Sequence, residues 1–219
     1  MTLHCQPLAL VSGVAVGAAA GVLAVRAARS TASQSDNDAV RRVNTQSAEW
    51  GILIAGPAAG AAIGVRFGVG IELAAYLSLV AVALPLSAID IAVRKVPDRI
   101  LIPALPAAVA LLALSAHCEG TYSALGRALL AGCATFAAYL ALALGTGQLG
   151  LGDCKAAGFC GIFLGYVGWR TTAFGALLAF VLAAAVAVLR MARRGSARDK
   201  TLAFAPYIFA GALVAVAIS

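Results

Sequence analysis

Two aspartates stand apart from the other acidic residues of this 219-residue chain. Asp90 ends the apolar run Leu86-Ser87-Ala88-Ile89 and precedes Arg94 by one helical turn. Asp153 lies in Gly150-Leu151-Gly152-Asp153-Cys154-Lys155. Two carboxylates a few ångströms apart resist double ionisation and share one proton. One then draws a proton from water while the other gives a proton to the substrate, which is the chemistry of amide-bond hydrolysis. A small proton-coupled transporter would use the same two carboxylates as a relay, so the residue pattern leaves both chemistries open. Each aspartate also has a plainer role. Asp90 can pair with Arg94 at i,i+4, and Asp153 can cap a helix N-terminus and favour its dipole.

The elements that must position these groups follow from composition. The chain is 62% hydrophobic and 11% charged, with a mean hydropathy of +0.95. Soluble domains run at about half apolar and about a quarter charged. This balance excludes an ordinary cytosolic enzyme, a disordered chain and a nucleic-acid-binding module. The apolar mass is mostly Ala, Leu, Val and Gly, which suits close helix packing in lipid. Apolar runs give spans near 7–28, 50–66, 68–93, 101–117, 122–145, 149–169, 171–192 and 202–218. The fold class expected is all-α: a polytopic transmembrane bundle of about eight spans with the N-terminus outside, forming one membrane-embedded domain over 1–219.

Charge orients the bundle. No Lys or Arg precedes the first apolar run, while Arg26 and Arg29 follow it. Eight spans then place thirteen of the sixteen basic residues on the cytoplasmic side and leave Arg66, Arg127 and Arg170 outside. The stretches 29–49 and 193–201 read as cytoplasmic loops, the first with a short helix near Ala39 to Val43. The sixth span is clearly apolar only from Ala156 to Trp169. That run is too short for a hydrocarbon core of about 30 Å, so the helix must begin near Leu149 or Gly150. Asp153 is thereby drawn to the membrane edge. Asp90, at the end of the third span, falls at the same depth on the same side, although 63 positions away.

The remaining charges have simple readings. Asp36, Asp38, Glu49 and Asp199 lie in polar loops, Glu119 sits in an outer turn beside His117, and Glu72 reads as an interfacial carboxylate. The five cysteines contain no C-x-x-C and no Cys/His cluster, so no metal site is expected.

The segment 150–155 resembles the G-x-G-D-x-K motif of the type IV prepilin peptidases, membrane aspartic endopeptidases. Asp90, Val96, Pro97 and Asp98 are similar to that family's D-x(6)-P-[ND] pattern, and Phe204-Ala205-Pro206-Tyr207 with Gly211 is a weaker likeness to its P-F-G-P-x-x-x-x-G stretch. The resemblance covers about 83–211. It implies that Asp90 and Asp153 are catalytic, with Gly150, Gly152, Lys155, Pro97 and Asp98 as supporting motif residues. It implies no cofactor, a prepilin or pseudopilin preprotein as substrate, and a place in the cell's inner (cytoplasmic) membrane. Cleavage would remove a short basic leader at the cytoplasmic face, typically after Gly. Longer members carry a cytoplasmic domain with paired C-x-x-C motifs and also methylate the product. The loop 29–49 has no cysteine, so the chain resembles the short, peptidase-only members, and methyltransferase activity is not supported.

Overall fold

Backbone N–H and C=O groups find no water in hydrocarbon, so a spanning segment must satisfy them internally as a helix or closed barrel. The chain takes the first route. The computed structural model describes residues 6–32, 38–147, 149–194 and 203–219, and every element among them is an α-helix. In order these are α1 (Gln6–Ala32), α2 (Asp38–Phe67), α3 (Ile71–Val93), α4 (Asp98–Glu119), α5 (Tyr122–Thr146), α6 (Leu151–Val167), α7 (Trp169–Arg194) and α8 (Ala205–Ile218). Five of them, α1, α3, α4, α5 and α7, are long and apolar enough to cross a membrane. The apolar part of α2, Leu53–Phe67, and the whole of α8 are shorter.

The polar stretch expected as a loop over 29–49 is helical wherever it is described. Helix α1 runs on to Ala32, and α2 starts at Asp38 and continues unbroken into its apolar half. Apolar periodicity stops at the membrane edge, but the backbone hydrogen-bond ladder does not. Residues 33–37 and most of the basic segment 193–201 lie outside the described residues.

The chain packs as two compact units, Met1–Gly126 and Arg127–Ser219. In the first, α1 packs on α2 and α3, α2 on α3, and α3 on α4. The α1–α2 contact is made by glycine spacing on both helices. Gly13 and Gly17 on α1 meet Gly60 and Gly56 on α2, and Gly64 meets the backbone of Ala9. A Cβ at any of these would collide with a carbonyl oxygen of the facing helix. Small residues four apart let two backbones touch along a line, which replaces the hydrophobic drive that lipid does not supply.

The second unit is built around α6, which packs on α7 and α8. Every residue from Ala156 to Tyr166 is buried. On the α5 side, Gly158, Gly161 and Gly165 meet Phe136, Thr135 and Ala131. Thr135 Oγ1 donates to Ala131 O at 2.8 Å and contacts Ala157 O at 3.2 Å, so its hydroxyl is satisfied inside the helix pair.

These contacts set a stability expectation. Gly60→Ala places a methyl group on the carbonyl of Gly13 and should cost about 1–3 kcal/mol. Gly126→Ala, where a Cβ meets nothing within 4 Å, should be neutral or stabilising. Thermal melts of the detergent-solubilised variants check the contrast, and equal melting temperatures would contradict it.

Candidate active site

The first motif is built at the corner between α3 and α4. Asp90 lies in the last turn of α3 and is 4% exposed. Its carbonyl oxygen accepts the Arg94 N–H at 2.8 Å. Arg94 takes φ 54° and ψ 42°, the left-handed conformation that ends a helix. It is the one non-glycine residue with positive φ among those described. Val96 precedes a proline and is thereby held out of the helical region. Pro97 is the N-cap of α4, with φ −72° and ψ 121°. Asp98 follows in the first turn of α4, where a carboxylate favours the helix dipole. The D-x(6)-P-D spacing is thus the length of one corner: last helical turn, left-handed stop, extended link, new helix.

The second motif is the first turn of α6. Gly150 is the N-cap, and Asp153 sits three residues on. The Gly150 N–H donates to Asp153 Oδ2 at 3.1 Å. The Gly150 carbonyl accepts Asp153 N–H at 3.0 Å and Cys154 N–H at 3.3 Å. A second helix contributes as well: the Ala205 N–H, at the start of α8, also bonds the Asp153 carboxyl. The Phe204-Ala205-Pro206-Tyr207 segment therefore serves Asp153 directly. Pro206 fits this place because the first turn of a helix leaves its N–H without an intrahelical partner. Gly211, further along α8, lets the helix approach α7: a Cβ there would come within 2.7 Å of the Gly175 carbonyl.

Gly150 does not act through conformational freedom. Its φ of −82° and ψ of 154° are open to any residue, and a Cβ there would meet Asp153 Oδ2 at an ordinary 3.6 Å. Lys155 is half-buried one turn into the helix.

The two aspartates sit at opposite ends of helix dipoles. Asp153 lies at the positive end of α6 and against the N-terminus of α8, whereas Asp90 lies near the negative end of α3. Asp90, Pro97 and Asp98 belong to the first unit; Gly150, Gly152, Asp153 and Lys155 belong to the second. Within each unit the structure gathers the motif residues into one corner or one turn.

Arg127 was read from sequence only as an outer-loop charge, but it has a structural task. Its Nε donates to Gly165 O at 2.8 Å, and its Nη2 donates to Tyr166 O at 2.6 Å and Val167 O at 3.4 Å. These are last-turn carbonyls of α6, which no intrahelical N–H reaches. One guanidinium from α5 therefore closes the end of α6 opposite Asp153. A lone arginine in a sequence carries no sign of this, because the partner atoms are backbone. Arg127→Met should leave these carbonyls unpaired and cost about 2–4 kcal/mol. Arg127→Lys should recover only part, since an ammonium lacks the guanidinium fork. Thermal or denaturant unfolding of the solubilised variants reads the series, and an unchanged Arg127→Met would refute the clamp.

Among the described residues, no group of three or more His, Cys, Asp or Glu is placed to hold a metal ion.

Comparison with known proteins bears on the same elements. The sequence profile of the type IV leader peptidase family matches residues 77–188, from α3 to α7. No curated protein and no solved structure matches the chain. The match takes in the α3–α4 corner, the first turn of α6 and the Arg127 clamp. With its long apolar helices, this chain is a multi-pass membrane protein and belongs to the type IV leader peptidase family.

Proposed function

We propose that the chain is a membrane aspartic endopeptidase that removes the short basic leader of type IV prepilin-like preproteins at the cytoplasmic membrane face. Asp90 and Asp153 are its catalytic pair. The observation that carries this reading is the G-x-G-D-x-K turn at the start of α6, where two backbone N–H groups bond the Asp153 carboxyl in a chain of the leader peptidase family.

In this mechanism the two carboxyls hold one proton between them. The ionised carboxylate takes a proton from water, and the water oxygen attacks the scissile carbonyl carbon. The protonated carboxyl gives its proton to the carbonyl oxygen. The tetrahedral intermediate then collapses as the C–N bond breaks: the leaving nitrogen takes a proton from the acid formed in the first step, and one hydroxyl of the intermediate returns its proton to the other carboxylate, which restores the one-proton pair. The product carboxyl group and the new amino terminus balance the water consumed.

The topology supports the same reading. A prepilin-like substrate has its apolar helix in the bilayer and its basic leader in the cytosol, so the scissile bond lies near that interface. Both aspartates fall at helix ends, next to the polar link 94–97 and the polar turn before α6, rather than at mid-helix. The supporting residues act by shape: Pro97 and Asp98 start α4, and Lys155 adds positive charge to the first turns of α6. The enzyme sits in the cytoplasmic membrane and needs no cofactor for this chemistry.

The test is cleavage of a co-expressed prepilin by Asp90→Asn and by Asp153→Asn, each confirmed as folded by its melting profile. Each variant should lose about 100-fold or more of the cleavage rate, read by mass spectrometry of the processed N-terminus. Full cleavage by either folded variant would sink the assignment. Proton-driven solute flux in proteoliposomes without any cleavage would favour the transporter chemistry instead.

A further inference from the structure

Tyr139 on α5 is 3% exposed, so its hydroxyl is buried with its ring. The ring packs against Phe180 of α7, centroids 5.2 Å apart, and against Phe204 at the start of α8, centroids 6.2 Å apart. Among the described residues the hydroxyl forms no hydrogen bond, although buried tyrosine hydroxyls ordinarily find a partner. Two titratable side chains lie within electrostatic range of it, Asp153 and Cys160, both on α6. They belong to one helix face, because Asp153, Ala157 and Cys160 follow at i, i+4 and i+7.

A small cavity is lined by Thr135, Tyr139, Ala157, Cys160, Gly175 and Ala179. Phe204 is the N-cap of α8 and immediately precedes Ala205, whose N–H bonds the Asp153 carboxyl. The aromatic wall that holds Tyr139 is therefore continuous with the backbone that holds Asp153. Thr135 already has backbone acceptors, and a thiol accepts weakly. The Asp153 carboxylate, on the same face of α6 as Ala157 and Cys160, is a stronger acceptor than a hydroxyl or a thiol.

We propose that Tyr139 is a positioning residue for Asp153: its O–H donates to the Asp153 carboxylate and completes a three-donor cradle with the N–H groups of Gly150 and Ala205. Hydrogen bonds of this kind are often long in an unliganded enzyme and tighten when substrate engages. Three donors favour the ionised carboxylate. In the peptidase reading, on which this rests, Asp153 is then the member that takes the proton from water, and Asp90 is the member that gives one. Toward the Asp153 end of the helices around it, the other titratable groups are Cys154, Lys155 and Cys160 of α6, Tyr207 of α8, and Arg190, Arg193 and Arg194 in the last turns of α7. None of these groups offers a buried O–H on the α5 side.

Tyr139→Phe removes the hydroxyl and keeps the ring. It should lower kcat by about tenfold with KM little changed, the loss of one hydrogen bond to a charged group. Losing a donor to the anion raises the pH at which Asp153 ionises, so the acidic limb of the pH–rate profile should move to higher pH. The melting temperature should stay near that of the parent, and Tyr139→Leu should lose both stability and rate. A second readout does not depend on activity. The ultraviolet resonance Raman tyrosine doublet, taken as parent minus Tyr139→Phe, should show a hydrogen-bond donor that is weakened in Asp153→Asn. An unchanged pH profile in Tyr139→Phe, or a tyrosine doublet indifferent to Asp153→Asn, would overturn the proposal. If the parent cleaves no prepilin at all, the Raman comparison still decides whether Tyr139 bonds Asp153.

Discussion

Helix α6 has 17 residues and is about 25 Å long, shorter than a hydrocarbon core of about 30 Å. The backbone groups at its two ends have no intrahelical partner, and the protein bonds them itself. Two charged side chains do this. Asp153 accepts at the N-terminal end, from its own N-cap and from α8. Arg127 donates at the C-terminal end, to the carbonyls of Gly165, Tyr166 and Val167. Each charge also matches the dipole at its end. The short helix is thus bonded at both ends by its neighbours. Everything else in the second unit follows this helix: the glycines that let α5 approach it, the aromatic wall of Tyr139, Phe180 and Phe204, and the start of α8.

A carboxylate that caps a helix is usually explained by the cap alone. Here the cap and the chemistry do not compete. In the proposed peptidase reading, the capping N–H groups fix the carboxyl in place and bond its ionised form, the state a general base needs, while burial opposes that form. Asp90 is placed differently, buried at the closing turn of α3 where the dipole disfavours a second negative charge. Unequal surroundings of this kind are how a pair of like groups divides acid and base roles at one pH.

Much of this was legible before any coordinates. The apolar runs locate all eight helices of the described residues, and the length of the sixth span puts its start within two residues of Leu151, where the structure begins it. A bilayer has a fixed thickness and a helix a fixed rise, so a short apolar run dictates how far its helix must extend. Legibility failed where the signal is not apolar periodicity. The polar first half of α2 has no apolar stripe to announce it, yet it is helical. The glycine line between α1 and α2 was visible only as composition, since spacing on one helix says nothing about its partner. Arg127 and the α8 N-terminus bond to backbone atoms, which carry no residue identity. The motif around Asp153 was readable as a motif, but that the Phe204–Tyr207 segment serves the same carboxyl was not.

Asp90 and Asp153 are proposed to act at one site, and a cross-linking measurement on the intact chain in native membranes addresses that most directly. On a cysteine-free background, Asp90→Cys and Asp153→Cys are combined and treated with thiol cross-linkers of graded length. The proposed pair predicts efficient cross-linking by reagents spanning about 8 Å or less, a separation that one water bridges between two carboxyls. Cross-linking only by much longer reagents, in protein whose helices remain folded, would contradict it.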